Sequence, residues 1–417
     1  MSKQVWVNGN ANVLSTASSS SYNNVFGAGN GPWNTNVLRR RLIVPAAGTV
    51  SNLRVQLSAA PGVGATRTFS LSFGTVAQAL TVTFDALDTD MTDAVNSVTV
   101  APGDAISLKA THTLTVEGPA ATTVKWSMQF ESTVAGETIY GGTGAGQHST
   151  SAQSYQSLLN PCGDVWGSGS TIVANLAPAD GTITALFLAL DNASSGSVGY
   201  SVYLNGTSEP TSSITPAAGV STGRATGLSI AFVAGDLLTV GSNPFASGGV
   251  QRRASFGVAV TMSTAGESML VGQTTDSPST SADEFHWIGA PHSSIAWQAA
   301  VGTPDALCGP SSFSIRDARI KMAAPPGAAS SGWHFQWLLN DAATALDIAI
   351  AGTDQTGTDA DSVGYANGDL VAVKAVRGST IAQTGEIRWG AVQFIPDAAP
   401  PAGGSKRPWQ MGTVGVD

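Results

Sequence analysis

A Gly-Asp turn followed at once by an alternating apolar strand occurs three times in this chain. It reads Gly103-Asp104-Ala105-Ile106-Ser107-Leu108, then Gly235-Asp236-Leu237-Leu238-Thr239-Val240, then Gly368-Asp369-Leu370-Val371-Ala372-Val373. Repetition at a fixed spacing constrains a fold more than any single motif, because each copy must bury its own apolar face in the same way. Two further landmarks keep the same order around it. A Ser-Thr stretch leads to an aromatic residue: Ser15-Thr16 to Tyr22, Ser149-Thr150 to Tyr155, and Ser279-Thr280 to Phe285. An aromatic-headed strand closes each copy: Trp126 to Phe130, Phe256 to Val260, and Trp389 to Phe394. An Ala-Gly-Glu linker follows the first two copies, at Ala135-Gly136-Glu137 and Ala265-Gly266-Glu267. The expected organisation is three tandem domains over residues 1–136, 137–266 and 267–396, with an extended tail over residues 397–417.

Apolar residues recur with period 2 rather than 3.6, the signature of half-buried strands. Leu53-Arg54-Val55-Gln56-Leu57, Phe69-Ser70-Leu71-Ser72-Phe73 and Leu80-Thr81-Val82-Thr83-Phe84 alternate cleanly in the first copy. Tyr200 to Leu204 runs into Asn205-Gly206, a strong hairpin signal because both residues tolerate positive φ. Asn340-Asp341 reads as the same corner in the third copy. About eight strands per copy predict an all-β chain of three antiparallel β-sandwich domains, jelly-roll-like, with a fibronectin- or immunoglobulin-like order as runner-up. The Cys…Trp…Cys pattern of immunoglobulins is absent, and no segment combines helix caps with a 3.6-residue stripe.

Composition narrows the function. Net charge is −9 and only 11% of residues are charged, which argues against a nucleic-acid partner and against an anionic membrane surface. The one basic run is Arg39-Arg40-Arg41. No apolar stretch approaches the ~18 residues of a membrane span, and Met1 to Trp6 shows no hydrophobic signal region. The expectation is a protein made in a host cytoplasm without a signal peptide. The sequons at Asn192 and Asn205 are then accidental.

Candidate chemistry is sparse. His112, His148, His286, His292 and His334 share no metal-ligand spacing, and a zinc site needs about four convergent ligands. Glycine runs such as Gly142 to Gly146 lack the following helix that cradles phosphate. There is no Gly-x-Ser-x-Gly elbow, and glutamate is too thin for an evident glycosidase pair. No cofactor is expected. Cys162-Gly163 and Cys308-Gly309 are read as buried thiols at equivalent positions, matched by Phe26-Gly27. Asp85, Asp88, Asp90 and Asp93 in the first copy, and Asp354, Asp359 and Asp361 in the third, form acidic clusters. Of these, Asp88, Asp90, Asp359 and Asp361 have the spacing of a weak calcium site, weighed against a solvated acidic loop. The tail carries Lys406, Arg407, Trp409 and Met411. An aromatic beside a basic pair suits a partner contact, with folding back along the third domain as the alternative.

The stretch from Arg40 to Trp126 resembles a domain that recurs in structural proteins of tailed bacteriophages. The resemblance is carried by Pro45 to Leu53, Leu57 to Gly62, Ala79 to Thr83 and Ala101 to Asp104. Pro178 to Leu186 keeps a weaker form, and the third copy keeps little beyond Gly368-Asp369. It implies an exposed virion component, either decorating the capsid or forming part of a tail fibre, with no catalytic residue carried over; decorating or cementing the capsid is the leading reading. The partners implied are other copies of the chain, as a homo-oligomer such as a trimer, and the major capsid protein or another virion protein. A tail fibre gripping a host surface glycan is the second reading. There, exposed Trp287, Trp333 or Trp337 would stack on sugar, although their alternation with polar residues favours the core. A glycan-active enzyme is the third.

Overall fold

The computed structural model describes residues 3–10, 14, 20–25, 33–113, 122–144, 146, 152–159, 166–171, 173–193, 198–243, 253–289, 297–299, 306–307, 311–327, 332–378 and 385–395. Among the described residues, 27 strands fall into three sets of nine. The first set is β1 (Lys3–Asn10), β2 (Ser20–Asn23), β3 (Leu42–Ile43), β4 (Gly48–Leu57), β5 (Thr66–Phe73), β6 (Val76–Asp85), β7 (Asp90–Val100), β8 (Ala105–His112) and β9 (Val124–Ser132). The second is β10 (Glu137–Thr143), β11 (Ser154–Ser157), β12 (Asn175–Leu176), β13 (Gly181–Leu190), β14 (Tyr200–Leu204), β15 (Thr207–Ser208), β16 (Thr222–Phe232), β17 (Leu237–Ser242) and β18 (Ala254–Met262). The third is β19 (Glu267–Thr274), β20 (Glu284–Trp287), β21 (Ala306–Leu307), β22 (Phe313–Met322), β23 (Gly332–Leu339), β24 (Ala342–Ala351), β25 (Thr356–Tyr365), β26 (Leu370–Arg377) and β27 (Ile387–Phe394).

The pairing order repeats in each set. The first makes one sheet in the order β1-β9-β4-β7 and a second in the order β2-β8-β5-β6. The second makes β10-β18-β13-β16 and β11-β17-β14-β15; the third makes β19-β27-β22-β25 and β20-β26-β23-β24. All pairings are antiparallel. Leaving out β3, β12 and β21 and lettering the other eight strands of each set from B to I, the two sheets read B-I-D-G and C-H-E-F. That is the order of a jelly roll, whose strands wrap around the sandwich instead of meandering. The immunoglobulin-like alternative is thereby ruled out.

The landmarks of the sequence are joints of this roll. Gly103, Gly235 and Gly368 have φ of 98°, 99° and 89°, which a side chain would strain. Each following aspartate closes the turn from the G to the H strand. Asp104 Oδ2 accepts from Ala101 N at 2.7 Å, Asp236 Oδ2 from Val233 N at 2.8 Å, and Asp369 Oδ2 from Ala366 N at 2.7 Å. Asn205 and Asn340 are left-handed at φ 51° and 49°. Their carboxamides reach the same turn, donating to Asp236 and Asp369 at 2.8 Å each. The two corners are therefore equivalent. Tyr22, Tyr155 and Phe285 are equivalent too, each in an isolated bridge, to Asn34, Gly167 and Gln298.

Three expectations need correction. Each set has a ninth strand of two residues, β3, β12 and β21, which period-2 reading cannot register. The acidic residues read as loops lie largely in strands: Asp90 and Asp93 in β7, and Asp359 and Asp361 in β25. Cys162 and Cys308 lie outside the described residues. Their bracketing strands differ, however, since Cys162 falls between β11 and β12 while Cys308 directly follows β21. The two cysteines are not repeat equivalents.

Asp93 ties the F strand to the G strand at a bulge. Its carboxylate accepts from Thr81 N at 2.9 Å, Val95 N at 3.2 Å and Asn96 N at 3.0 Å. Asp359 does the same in the third domain, accepting from Asp347 N at 2.8 Å and Asp361 N at 2.9 Å. Burial pushes the Asp93 carboxyl up, but the hydrogen bonds from Asn96, Thr81 and Val95 outweigh it and hold the group below its ordinary range. A depressed folded value means the stabilisation is whole above the unfolded value near ~4 and is lost as pH falls through the folded one. Asp93→Ala should therefore lower stability by about 1–3 kcal/mol at neutral pH. The difference from wild type should shrink in strong acid, as thermal melts at both pH values would reveal.

Candidate functional site

The two-residue strands dominate the contacts between domains. β3 pairs with β8 of its own domain (Leu42↔Ile106) and also lies against β10, β13 and β18 of the second. β12 pairs with β17 and lies against β19, β22 and β27 of the third. β21 pairs with β26 and lies against β1 and β9 of the first, bonding to the β1 edge at Asn8↔Leu307. Each domain thus clamps the next, and the third returns to the first. The result is a closed ring with pseudo-threefold symmetry.

The clamp explains local sequence. Val44 N donates to Asp104 O and accepts Gly103 N on its own carbonyl, both at 2.8 Å; Ala177 makes the same pair with Asp236 and Gly235. The Gly-Asp turn therefore holds the clamp strand as well as turning the chain. On the receiving side, a Cβ at Gly257 would sit 1.7 Å from Ile43 O, and one at Gly390 would sit 2.5 Å from Leu176 O. Nothing larger than glycine allows the clamp to seat. The basic run is absorbed here also. Arg41 is half-buried in the first seam, donating from Nε to Ser255 Oγ at 3.1 Å and from Nη2 to Leu190 O at 3.2 Å; desolvation there lowers its pKa, opposed by Asp191.

The first strands of the three domains meet at the ring axis. Ile139 N donates to Gln4 Oε1 at 3.1 Å, Met269 N to the Tyr140 hydroxyl at 2.6 Å, and Val5 N to Gln393 Oε1 at 2.8 Å. Each bond links two domains. Burial pushes the Tyr140 hydroxyl up to about 12, so it stays a neutral phenol at physiological pH. Gln4, Trp6, Tyr140 and Met269 line a narrow cavity there.

The other sequence candidates do not converge. Asp88 Oδ2 accepts from Asp85 N at 3.1 Å, and Asp90 forks onto Arg54 at 2.9 and 2.6 Å. Asp359 is committed to backbone amides, and Asp361 lends its own amide to Asp359. Among the described residues, no three His, Cys, Asp or Glu side chains group as for a metal. Trp287, Trp333 and Trp337 are all buried to within 1%, so they form core and no sugar platform. Lys406, Arg407, Trp409 and Met411 lie outside the described residues. Among the described residues no helix is long and apolar enough to cross a membrane.

No family model and no curated protein matches the chain. Among solved structures it is similar to an archaeal-virus protein described by a triple jelly roll fold and turret assembly, at 11% identity and a TM-score of 0.17. That match covers 84% of this chain and 78% of the other. A chain of Sulfolobus Turreted Icosahedral Virus matches at 12% identity and a TM-score of 0.16, covering 84% and 79%. PNGF-II matches at 8% identity and a TM-score of 0.19, covering 54% and 59%. At such TM-scores the fold rests on the strand order itself.

Replacing Gly257 with valine should lower stability by at least about 1–3 kcal/mol, because the obstacle is a backbone carbonyl that cannot rotate aside. Differential scanning calorimetry reads the change directly. An unaltered melting midpoint would mean that Ile43 does not cross there.

Proposed function

We propose that the chain is a non-enzymatic structural protein of a virion, decorating or cementing the outside of a capsid. The observation that carries this reading is the cyclic closure of three jelly rolls by β3, β12 and β21. A closed ring has spent its self-complementary faces internally. It offers a stiff block with three similar sets of loops around one axis, suited to a lattice position where three like subunits meet. The phage-like stretch from Arg40 to Trp126 supports the same reading. So does the use of several polar groups as joints: Asp93 and Asp359 at bulges, Arg41 in a seam, Tyr140 and Gln393 at the axis. The glycan-gripping fibre loses its proposed platform, because Trp287, Trp333 and Trp337 are core.

On this reading copies meet through the particle and not through the seams. Light scattering on the purified chain should give the monomer mass of 42.2 kDa, and no glycoside or peptide hydrolysis should be detectable. Quantitative mass spectrometry of intact particles should count dozens to hundreds of copies. A handful per particle would move the protein to a fibre. A stable trimer in solution would show that the ring leaves a self-complementary face open.

A further inference from the structure

The three seams differ at their outer rim. At the seam between the third and first domains, Arg54 of β4 lies against the Gly-Asp turn of the third domain. Its Nη1 bonds Asn367 Oδ1, and a Cβ on Gly368 would meet it at 2.3 Å. At the seam between the second and third domains, Arg319 of β22 donates from Nε to Pro178 O at 2.9 Å. Each of these arginines faces a threonine on the neighbouring G strand, as Arg54↔Thr92 and Arg319↔Thr358. In the second domain the pair is inverted: Phe187 stands on β13 and Arg224 on β16, in register.

The inversion leaves the rim of the first seam without a filling guanidinium. What remains is an open groove of about 420 Å³, lined by Ile43, Pro102 and Gly103 of the first domain and Phe187, Leu188 and Arg224 of the second. Its floor is apolar, since Ile43, Phe187 and Leu188 are buried. Arg224 stands exposed at its mouth, and no described residue bonds or pairs with its guanidinium. An unspent cation over an apolar floor fits a segment with small apolar side chains next to a carboxylate.

The chain carries such a segment at 413–417, Thr-Val-Gly-Val-Asp. Of the two acids after β27, Asp397 lies among proline and alanine, whereas Asp417 follows Val414 and Val416. The 17 residues between Ile395 and Thr413 span up to roughly 60 Å when extended, enough to cross a neighbouring domain. We infer that residues 413–417 dock in this groove of the same molecule, with Val414 and Val416 on the apolar floor and the Asp417 carboxylate on Arg224.

The test uses the full chain carrying Asp417→Lys, which disables its own segment, and a fluorescein-labelled peptide of residues 405–417. Anisotropy should show saturable binding to this chain. Adding Arg224→Glu should weaken it by roughly five-fold or more, and a peptide with Asp417→Arg should recover affinity for that charge-reversed chain. A second variant, Phe187→Arg with Arg224→Thr, rebuilds the filled rim of the other seams and should abolish binding without lowering the melting temperature. No binding, or equal binding to the Arg224→Glu chain, overturns the inference.

Discussion

Everything in this molecule hangs on a strand two residues long. β3, β12 and β21 each pair with the H strand of their own sandwich and lie across the B–I edge of the next. A two-residue strand has almost no stability of its own. It is held from behind by the Gly-Asp turn, whose Gly103 and Asp104, or Gly235 and Asp236, bond both polar atoms of the residue after it. It is received in front by a glycine, Gly257 or Gly390. Three such joints close a ring, and closure makes each depend on the other two. Covalent linkage assists, because domains on one chain meet at high effective concentration and need less surface per seam than separate subunits would.

The same joint explains why some of the fold was legible and some was not. The Gly-Asp turns, the Asn205 and Asn340 corners and the closing strands are local. They are fixed by backbone angles and by side chains a few residues away, so a single sequence displays them. The clamp strands are not local. Leu42-Ile43 and Asn175-Leu176 carry too few residues to display a period, and their significance lies in a surface more than a hundred residues distant in sequence. The alignment of Cys162 with Cys308 as equivalent positions of the repeat failed for a related reason. It matched two Cys-Gly dipeptides, whereas equivalence is set by the strands around them.

The acidic residues show the other limit of residue type as a guide to chemistry. Asp88, Asp90, Asp359 and Asp361 have a spacing that calcium could use. In the fold, Asp90 answers Arg54, Asp88 caps a turn, and Asp359 answers backbone amides in a bulge. Carboxylates whose acceptor sites are filled by protein donors have less left to offer a hard cation. The candidate site that emerges instead is one of shape, and its marks were spread over three domains. Only when Arg54, Phe187 and Arg319 are known to share one register does the second stand out as the exception.

Ring closure also accounts for the low charge. A sandwich standing alone turns one face of each sheet to water and alternates polar with apolar residues. The G strands here do so, with every other residue of much of β16 and β25 exposed. The B and I strands do not: β19 is buried along its whole length, and β18 and β27 are buried except at a single position each. Where their outward positions meet the neighbouring clamp strand, the residues are small and uncharged. Gly257, Ala259 and Gly390 are examples. A strand covered on both faces carries few of the charges that usually mark a sheet surface, and the two buried in β19 and β27, Glu267 and Arg388, are each ion-paired, to Arg316 and Glu386. Three domains each contribute two such strands, so a deficit of charge across the chain follows from the ring itself. Breaking the ring would expose apolar and small-residue surface on six strands at once, which is why the seams and the sandwiches should unfold together.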